Sequence, residues 1–260
     1  MTAQLKSHTE GQTLVLTISN PEHRNALGPE IYSAGVETLN VAESNPDVRT
    51  VIITGEGAHF SAGGNLNRLL SNRDLPPEHQ AQSIEGLHNW IEAIRTFPKP
   101  IIAAVEGAAA GAGFSLALAC DLLVAAQNSV FVMAYSSVGL SPDGGGSWHL
   151  ARALPRALVS QWLMLGEKIS ASDLQGWGLV NQISAPTEAL QQALALADKL
   201  NNRAPNALAS VKELIAAARQ QDLYAQLPLE KQHFVHNLHH PNAGIGIQAF
   251  LNKETPHYKP

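Results

Sequence analysis

The chain contains one cysteine, Cys120, which excludes an intrachain disulfide, a cysteine-built metal cluster and chemistry by paired thiols. Charge is also scarce. Only 15% of the 260 residues are charged, against about 25% in an average globular chain. Lys and Arg number 17 against 22 Asp and Glu, a net charge of −5, with no basic block, so a nucleic-acid partner is not expected. No apolar run approaches the ~18 residues of a membrane span. The longest candidate, Pro100 to Ala126, is interrupted by Glu106, Gly107, Gly111, Gly113 and Asp121. Met1 to Glu10 has neither a signal-type apolar stretch nor a basic amphipathic leader, and His257-Tyr-Lys-Pro260 is not a peroxisomal address. A cytoplasmic protein with no membrane partner is the expectation.

What the chain does have is apolar material, 45% of its residues, enough to bury a sizeable core. In the first half, short runs at Thr13–Ile18, Val48–Thr54 and Pro100–Val105 read as strands bounded by Gly, Asn or Pro. Between them, Pro29 opens a helical pattern with Ile31, Gly35 and Leu39 in register. Residues 83–97 place Ile84, Leu87, Ile91 and Ile94 on a second helical face. This alternation predicts an α/β fold. From about Ser170, where Asp173 completes a possible capping box, the pattern becomes helical, with stripes at Leu190, Leu194, Ala197 and Leu200, and at Leu208, Val211, Ile215 and Ala218 after Pro205. No repeat, low-complexity segment or flexible linker stands out.

Chemistry is suggested by glycine-rich turns. Phe60-Ser-Ala-Gly-Gly-Asn-Leu66 lies between a strand and a helical pattern, and its small residues could leave a main-chain N–H facing a cleft; a tight structural turn would read the same way. Glu106-Gly-Ala-Ala-Ala-Gly-Ala-Gly-Phe-Ser115 is a second such turn, ahead of an apolar helix whose first amides carry partial positive charge; close helix packing is the competing explanation. Two donors converging on one carbonyl oxygen would stabilise an oxyanion by roughly 3 to 4 kcal/mol each. In the third turn, Gly139-Leu-Ser-Pro-Asp-Gly-Gly-Gly-Ser147, Asp143 is the one functional side chain. It is the acid/base candidate, or else the N-cap of a helix starting near Ser147. Gly176-Trp-Gly-Leu-Val-Asn181 reads as a helix-to-strand return without chemistry.

Taken in order, Arg24-Asn-Ala-Leu27, Phe60-Ser-Ala-Gly-Gly64, the Gly107 to Asp121 segment, Pro142-Asp-Gly-Gly-Gly146, Gly176-Trp-Gly-Leu-Val180 and Gly246-Ile-Gln-Ala-Phe250-Leu-Asn-Lys253 resemble the crotonase, or enoyl-CoA hydratase/isomerase, superfamily over nearly the whole chain. The resemblance implies a core of ββα spiral units over residues 1–195 and a helical trimerisation region over 196–260, assembled as a homotrimer or a dimer of trimers. It implies an acyl-CoA thioester as substrate, with coenzyme A arriving as part of that substrate and no separate cofactor or metal. By motif position, the amides of Gly64 and Ala112 would hold the thioester oxygen. Arg24, Ala26 and Ala62 would line the coenzyme A path, and Phe250 and Lys253 would reach the adenine or phosphates. Phe114, Tyr135, Leu140 and Trp148 are the candidates for an apolar acyl pocket.

The departures narrow the chemistry. Hydratases of this family use two glutamates, and the matching positions here are Ser115 and Tyr135, neither of which can serve as a carboxylate base. The segment from Phe131 to Trp148 looks closest to the isomerases of phenylacetyl-CoA breakdown, which rearrange a ring epoxide or shift a double bond, and there one carboxylate suffices. Asn65 and Asn67 replace an acidic and a basic residue usual after the first turn, leaving Arg68 as a substitute for phosphate contact. Hydratase activity with atypical residues, dehalogenation or hydrolysis by a nucleophilic Asp143, and a non-catalytic acyl-CoA-binding subunit are the alternatives. A dehydrogenase loop at Gly107–Gly113 is disfavoured because no tyrosine has Lys four residues on. His233, His236, His239 and His240 read as a solvated helix face, Cys120 as core, and Asp121 as a turn-ordering residue.

Overall fold

The computed structural model describes residues 3–259. Six strands form the main sheet: β1 (Gln4–Glu10), β2 (Thr13–Ser19), β3 (Thr50–Gly55), β4 (Ile101–Val105), β6 (Leu122–Ala126) and β9 (Gln182–Ser184), in the order β1-β2-β3-β4-β6-β9. Only β1 and β2 pair antiparallel; the rest run parallel. A smaller sheet holds β5 (Ala108–Ala110), β7 (Val130–Val132) and β8 (Ile169–Ser170), in that order. The connecting helices are α1 (Pro29–Glu43), α2 (Leu66–Asn72), α3 (Pro77–Thr96), α4 (Ala112–Ala119), α5 (Gly146–Ala153), α6 (Arg156–Leu165) and α7 (Ala171–Gly176). Four more follow: α8 (Ala189–Asn201), α9 (Pro205–Ala218), α10 (Leu223–Leu238) and α11 (Pro241–Asn252).

Parallel strands covered on both faces must be apolar on both, and these are. Leu16, Ile18, Val51, Ile53, Ala103, Val105, Leu123 and Ala125 face the main core with α1, α3 and α4. The alternate residues Val15, Ile52, Ile102, Ala104 and Val124 face Ala193 and Ala197 of α8. Helix α8 therefore runs across residue 195 as part of the sheet's covering. Asp121 orders its turn as expected, accepting from Ile101 N and from Lys212 Nζ of α9, both at 2.8 Å. The capping box forms at Ser170 and Asp173. Beyond α8 the helices are thinly buried: α9 buries no residue, and Tyr224, Phe234, Phe250 and Leu251 are open to solvent. Among the described residues no helix is long and apolar enough to cross a membrane.

Helices α1 and α3 approach most closely where Gly35 meets Trp90. A methyl group on Gly35 would stand 2.2 Å from Nε1 of the fully buried Trp90. The Gly35→Ala variant is expected to unfold about 1–3 kcal/mol more easily, the usual cost of an overpacked core, as read from urea denaturation.

Candidate active site

The first glycine turn is laced to its neighbours before it meets any ligand. Asn25, wholly buried, donates from Nδ2 to the carbonyls of Glu56 (2.9 Å) and His59 (2.7 Å), fixing the Arg24–Leu27 turn. That turn then grips the next one: Ala62 N donates to Arg24 O at 2.9 Å and Leu27 N to Gly63 O at 2.7 Å. On the other side Ser61 exchanges bonds with β5, its N–H donating to Ala108 O (3.0 Å) and its carbonyl accepting from Ala110 N (2.9 Å). Gly63 adopts φ +82°, and a methyl group there would lie 2.5 Å from Ala110 O and 3.2 Å from Ala112 N. The two turns are in backbone contact.

Gly111, at φ +51°, ends β5 and forms the N-cap of α4, so Ala112 opens the helix with its amide at the positive end of the dipole. Among the described residues neither the Gly64 nor the Ala112 amide has a protein acceptor. Both residues line a cleft of about 410 Å³ together with Ala62, His88, Tyr135, Leu140 and Asp143. The arrangement suits a carbonyl oxygen that gains negative charge.

Asp143 sits on the loop between a 3-10 turn at Ser136–Val138 and α5. It does not cap that helix: the N-cap is Gly145, and no side chain serves there. Gly144 and Gly145 take φ +57° and +79°, and a methyl group on Gly146 would come within 2.6 Å of Ser115 Oγ. The glycines thus let the loop lie against α4. Ser115 Oγ donates to the main-chain carbonyl of Asp143 at 2.9 Å, and Tyr135 Oη donates to Asp143 Oδ1 at 2.5 Å. The two positions that carry glutamates in the hydratase pattern therefore hold Asp143 here.

Burial pushes the Asp143 carboxyl above the ordinary carboxylate range, while the Tyr135 hydrogen bond and the nearby His88 oppose the shift. Burial, followed by the Asp143 charge, raises Tyr135, so its hydroxyl stays protonated and donates. His88 is a cleft residue that the sequence did not reveal. It stands on the exposed side of α3, one turn beyond Ile84, which also lines the cleft. An apolar groove between α2 and α3, about 980 Å³, continues the cleft past Leu66, Leu70, Leu75 and Val138.

These features match a known lineage. The Enoyl-CoA hydratase/isomerase family model matches residues 8–260. The chain belongs to the enoyl-CoA hydratase/isomerase family. It is 34% identical over 253 residues, 97% of each chain, to 1,2-epoxyphenylacetyl-CoA isomerase of Escherichia coli strain K12. Identity is also 34% over 249 residues, 95% of each chain, to 2,3-dehydroadipyl-CoA hydratase of the same strain. Among solved structures, an enoyl-CoA hydratase from Polaromonas sp. JS666 superposes with a TM-score of 0.98 at 68% identity, covering 98% of this chain and 100% of that one. The protein is thus a crotonase-superfamily acyl-CoA enzyme.

Within the family frame, two pocket candidates are corrected. Phe114 is fully buried and meets Phe131 at a tilt with ring centres 5.0 Å apart, because α4 is buried along nearly its whole length and the phenyl ring enters the core rather than the cleft. Trp148 faces away from the cleft, between Arg95 and Arg152. Tyr135 and Leu140 do line it. Arg24 is exposed and Ala26 is buried beneath the first turn, while Phe250, 83% exposed, and Lys253 end α11 and do not line the cleft. Arg68 is turned inward: a methyl group on Gly28 would lie 3.3 Å from its Nη1, its charge acts on Tyr32, and its Nε is buried with no hydrogen-bond partner among the described residues. Asn65 caps α2, accepting from the Asn67 and Arg68 amides.

Two outcomes follow from the Asp143 environment. Tyr135→Phe removes a donor that favours the ionised carboxylate, so the acid limb of the kcat/KM–pH profile should move to higher pH, with activity recovering in alkaline buffer. The native carboxyl holds its proton more tightly than the unfolded one. Its contribution to stability therefore declines as pH rises from the unfolded value of about 3.9 through the raised native one. At neutral pH Asp143→Asn should be no less stable than the parent by thermal unfolding.

Proposed function

We propose that the enzyme is an enoyl-CoA isomerase that shifts a double bond with one acid/base group, Asp143. The observation that carries this reading is that, among the described residues, Asp143 is the only carboxylate lining the cleft, held by the two residues at the positions of the hydratase glutamates. The thioester oxygen would accept from the amides of Gly64 and Ala112, which acidifies the acyl chain next to the carbonyl. The Asp143 carboxylate removes a proton from the α carbon of a 3-enoyl thioester, leaving a dienolate whose charge rests on that oxygen. The same carboxyl returns the proton at the γ carbon, which gives the 2-enoyl thioester. Tyr135 keeps the carboxylate aimed and lowers its proton affinity toward the working range. Ring-epoxide rearrangement, the activity named for the relative from Escherichia coli, would use the same oxyanion site and the same carboxylate. Coenzyme A would enter with the substrate along Arg24, Ala26 and Ala62, with Phe250 and Lys253 of a neighbouring subunit closing on its nucleotide end. The open apolar residues of α10 and α11 support such a homotrimer or dimer of trimers.

One observation favours a second reading. His88 lines the cleft and acts electrostatically on Asp143, so the two could divide the work of activating water and handling the α proton in a hydratase.

NMR in D2O with a matched pair of 3-enoyl-CoA and 2-enoyl-CoA separates the two. The isomerase predicts double-bond migration with deuterium at Cα or Cγ and no 3-hydroxyacyl product. Asp143→Asn should lower the rate by about 100-fold or more, and His88→Ala should leave migration in place. Rapid water addition that is lost in both variants would establish the hydratase instead.

A further inference from the structure

Away from the cleft, three arginines from three helices converge on one indole. The guanidinium carbons of Arg95 on α3, Arg152 on α5 and Arg219 at the end of α9 stand 4.4, 4.6 and 5.5 Å from the centre of the Trp148 ring. His149 meets the same ring edge-on, 4.9 Å away at 84°. A single cation over an indole face is a common and favourable contact. Three at one ring also repel one another. In a chain with net charge −5, such a concentration is not a product of composition.

Among the described residues none of the three arginines has a carboxylate within 4.0 Å. Glu92, the nearest acid to influence Arg95, acts more weakly than Arg219 and Arg152 do. His149 records the resulting field. Burial first, then the charges of Arg95 and Arg219, push its imidazole down to about 4. Planar guanidinium forks are the side chains best suited to binding an oxyanion through paired hydrogen bonds, and the half-buried indole gives them a fixed platform. None of these residues lines the acyl-CoA cleft.

We propose that Arg95, Arg152 and Arg219, gathered around Trp148, form a second binding site, for a small multivalent oxyanion of the phosphate or polycarboxylate class. Arg152 and Arg219 are exposed side chains, and the Trp148 platform lies on α5, the helix that begins three residues after Asp143.

Inorganic pyrophosphate is the probe, added to the full-length protein in low-salt buffer. Binding is read from Trp148 fluorescence, taken as the difference from Trp148→Phe, and from the NMR titration of the His149 imidazole. The groups facing that imidazole are Arg95 from α3, Arg219 from α9 and Trp148 beside it. Saturable binding in the low-millimolar range or tighter, with the His149 midpoint moving upward, is the expected result. Arg152→Gln and Arg219→Gln alter exposed side chains outside the catalytic cleft, and each should weaken binding about tenfold or more while the enzyme keeps its basal turnover. Three results would overturn the proposal. The first is no saturable change in the millimolar range, and the second is binding undiminished in the Arg152→Gln/Arg219→Gln double variant. The third is dissociation of the assembly by these substitutions in sedimentation, with no pyrophosphate binding to the parent, which would assign the arginines to carboxylates of a second copy of the chain.

Discussion

The approach of Gly63 to the Ala110 carbonyl is the constraint on which the site depends. At that point two loops from distant parts of the chain come so close that a single methyl group would stand 2.5 Å from a carbonyl oxygen. Their nearness sets Gly64 beside Ala112, so that two amides with no acceptor in the protein open into one cleft. Neither turn could be held there alone. Asn25 anchors the preceding turn, and Ser61 joins the first loop to β5. An oxyanion site works when its donors are in place before charge develops, and for these two amides the cost of that ordering is met by folding.

Asp143 shows the same economy applied to a side chain. A carboxylate left in open water would be a weak base with the ordinary low pKa, whereas burial raises its proton affinity. The Tyr135 hydroxyl and His88 work against that burial and Ser115 fixes the backbone, so the group has a raised but opposed proton affinity and one orientation. Replacing two glutamates by a serine and a tyrosine is therefore more than a loss of bases. Both new side chains donate hydrogen bonds to the residue that remains.

Much of this was legible in the sequence, for identifiable reasons. Strands β2, β3 and β4 are dense in β-branched residues and end at Gly, Asn or Pro, and α1 and α9 begin at prolines, which are strong local signals. The glycine turns pointed to the cleft because glycine is required where backbones touch. Strand β1 went unseen: as a largely exposed edge strand it is polar, and only its pairing with β2 defines it. Helix α3 starts at Pro77 rather than Ser83 because its first turns are exposed and carry no apolar stripe.

Side-chain direction was the part that could not be read. Phe114 and Trp148 are large, apolar and adjacent in sequence to the glycine-rich turns, which made them candidates for the pocket. Helix α4 is surrounded by core on every side, so Phe114 has no solvent-facing direction to take, and the turn of α5 sends Trp148 toward α3 and α9. His88 is the converse case. A histidine on the polar side of an amphipathic helix carries no local mark of function, and it becomes a cleft residue only because the loop after β7 brings Asp143 across from it. The chain's own periodicity specifies which residues leave the core; what they then face is decided by elements far away in sequence. For this family member the same rule separates its two charged centres. Trp148 and Asp143 are five residues apart, yet Asp143 lines the cleft while Trp148, on the first turn of α5, meets the arginines of α3, α5 and α9 outside it.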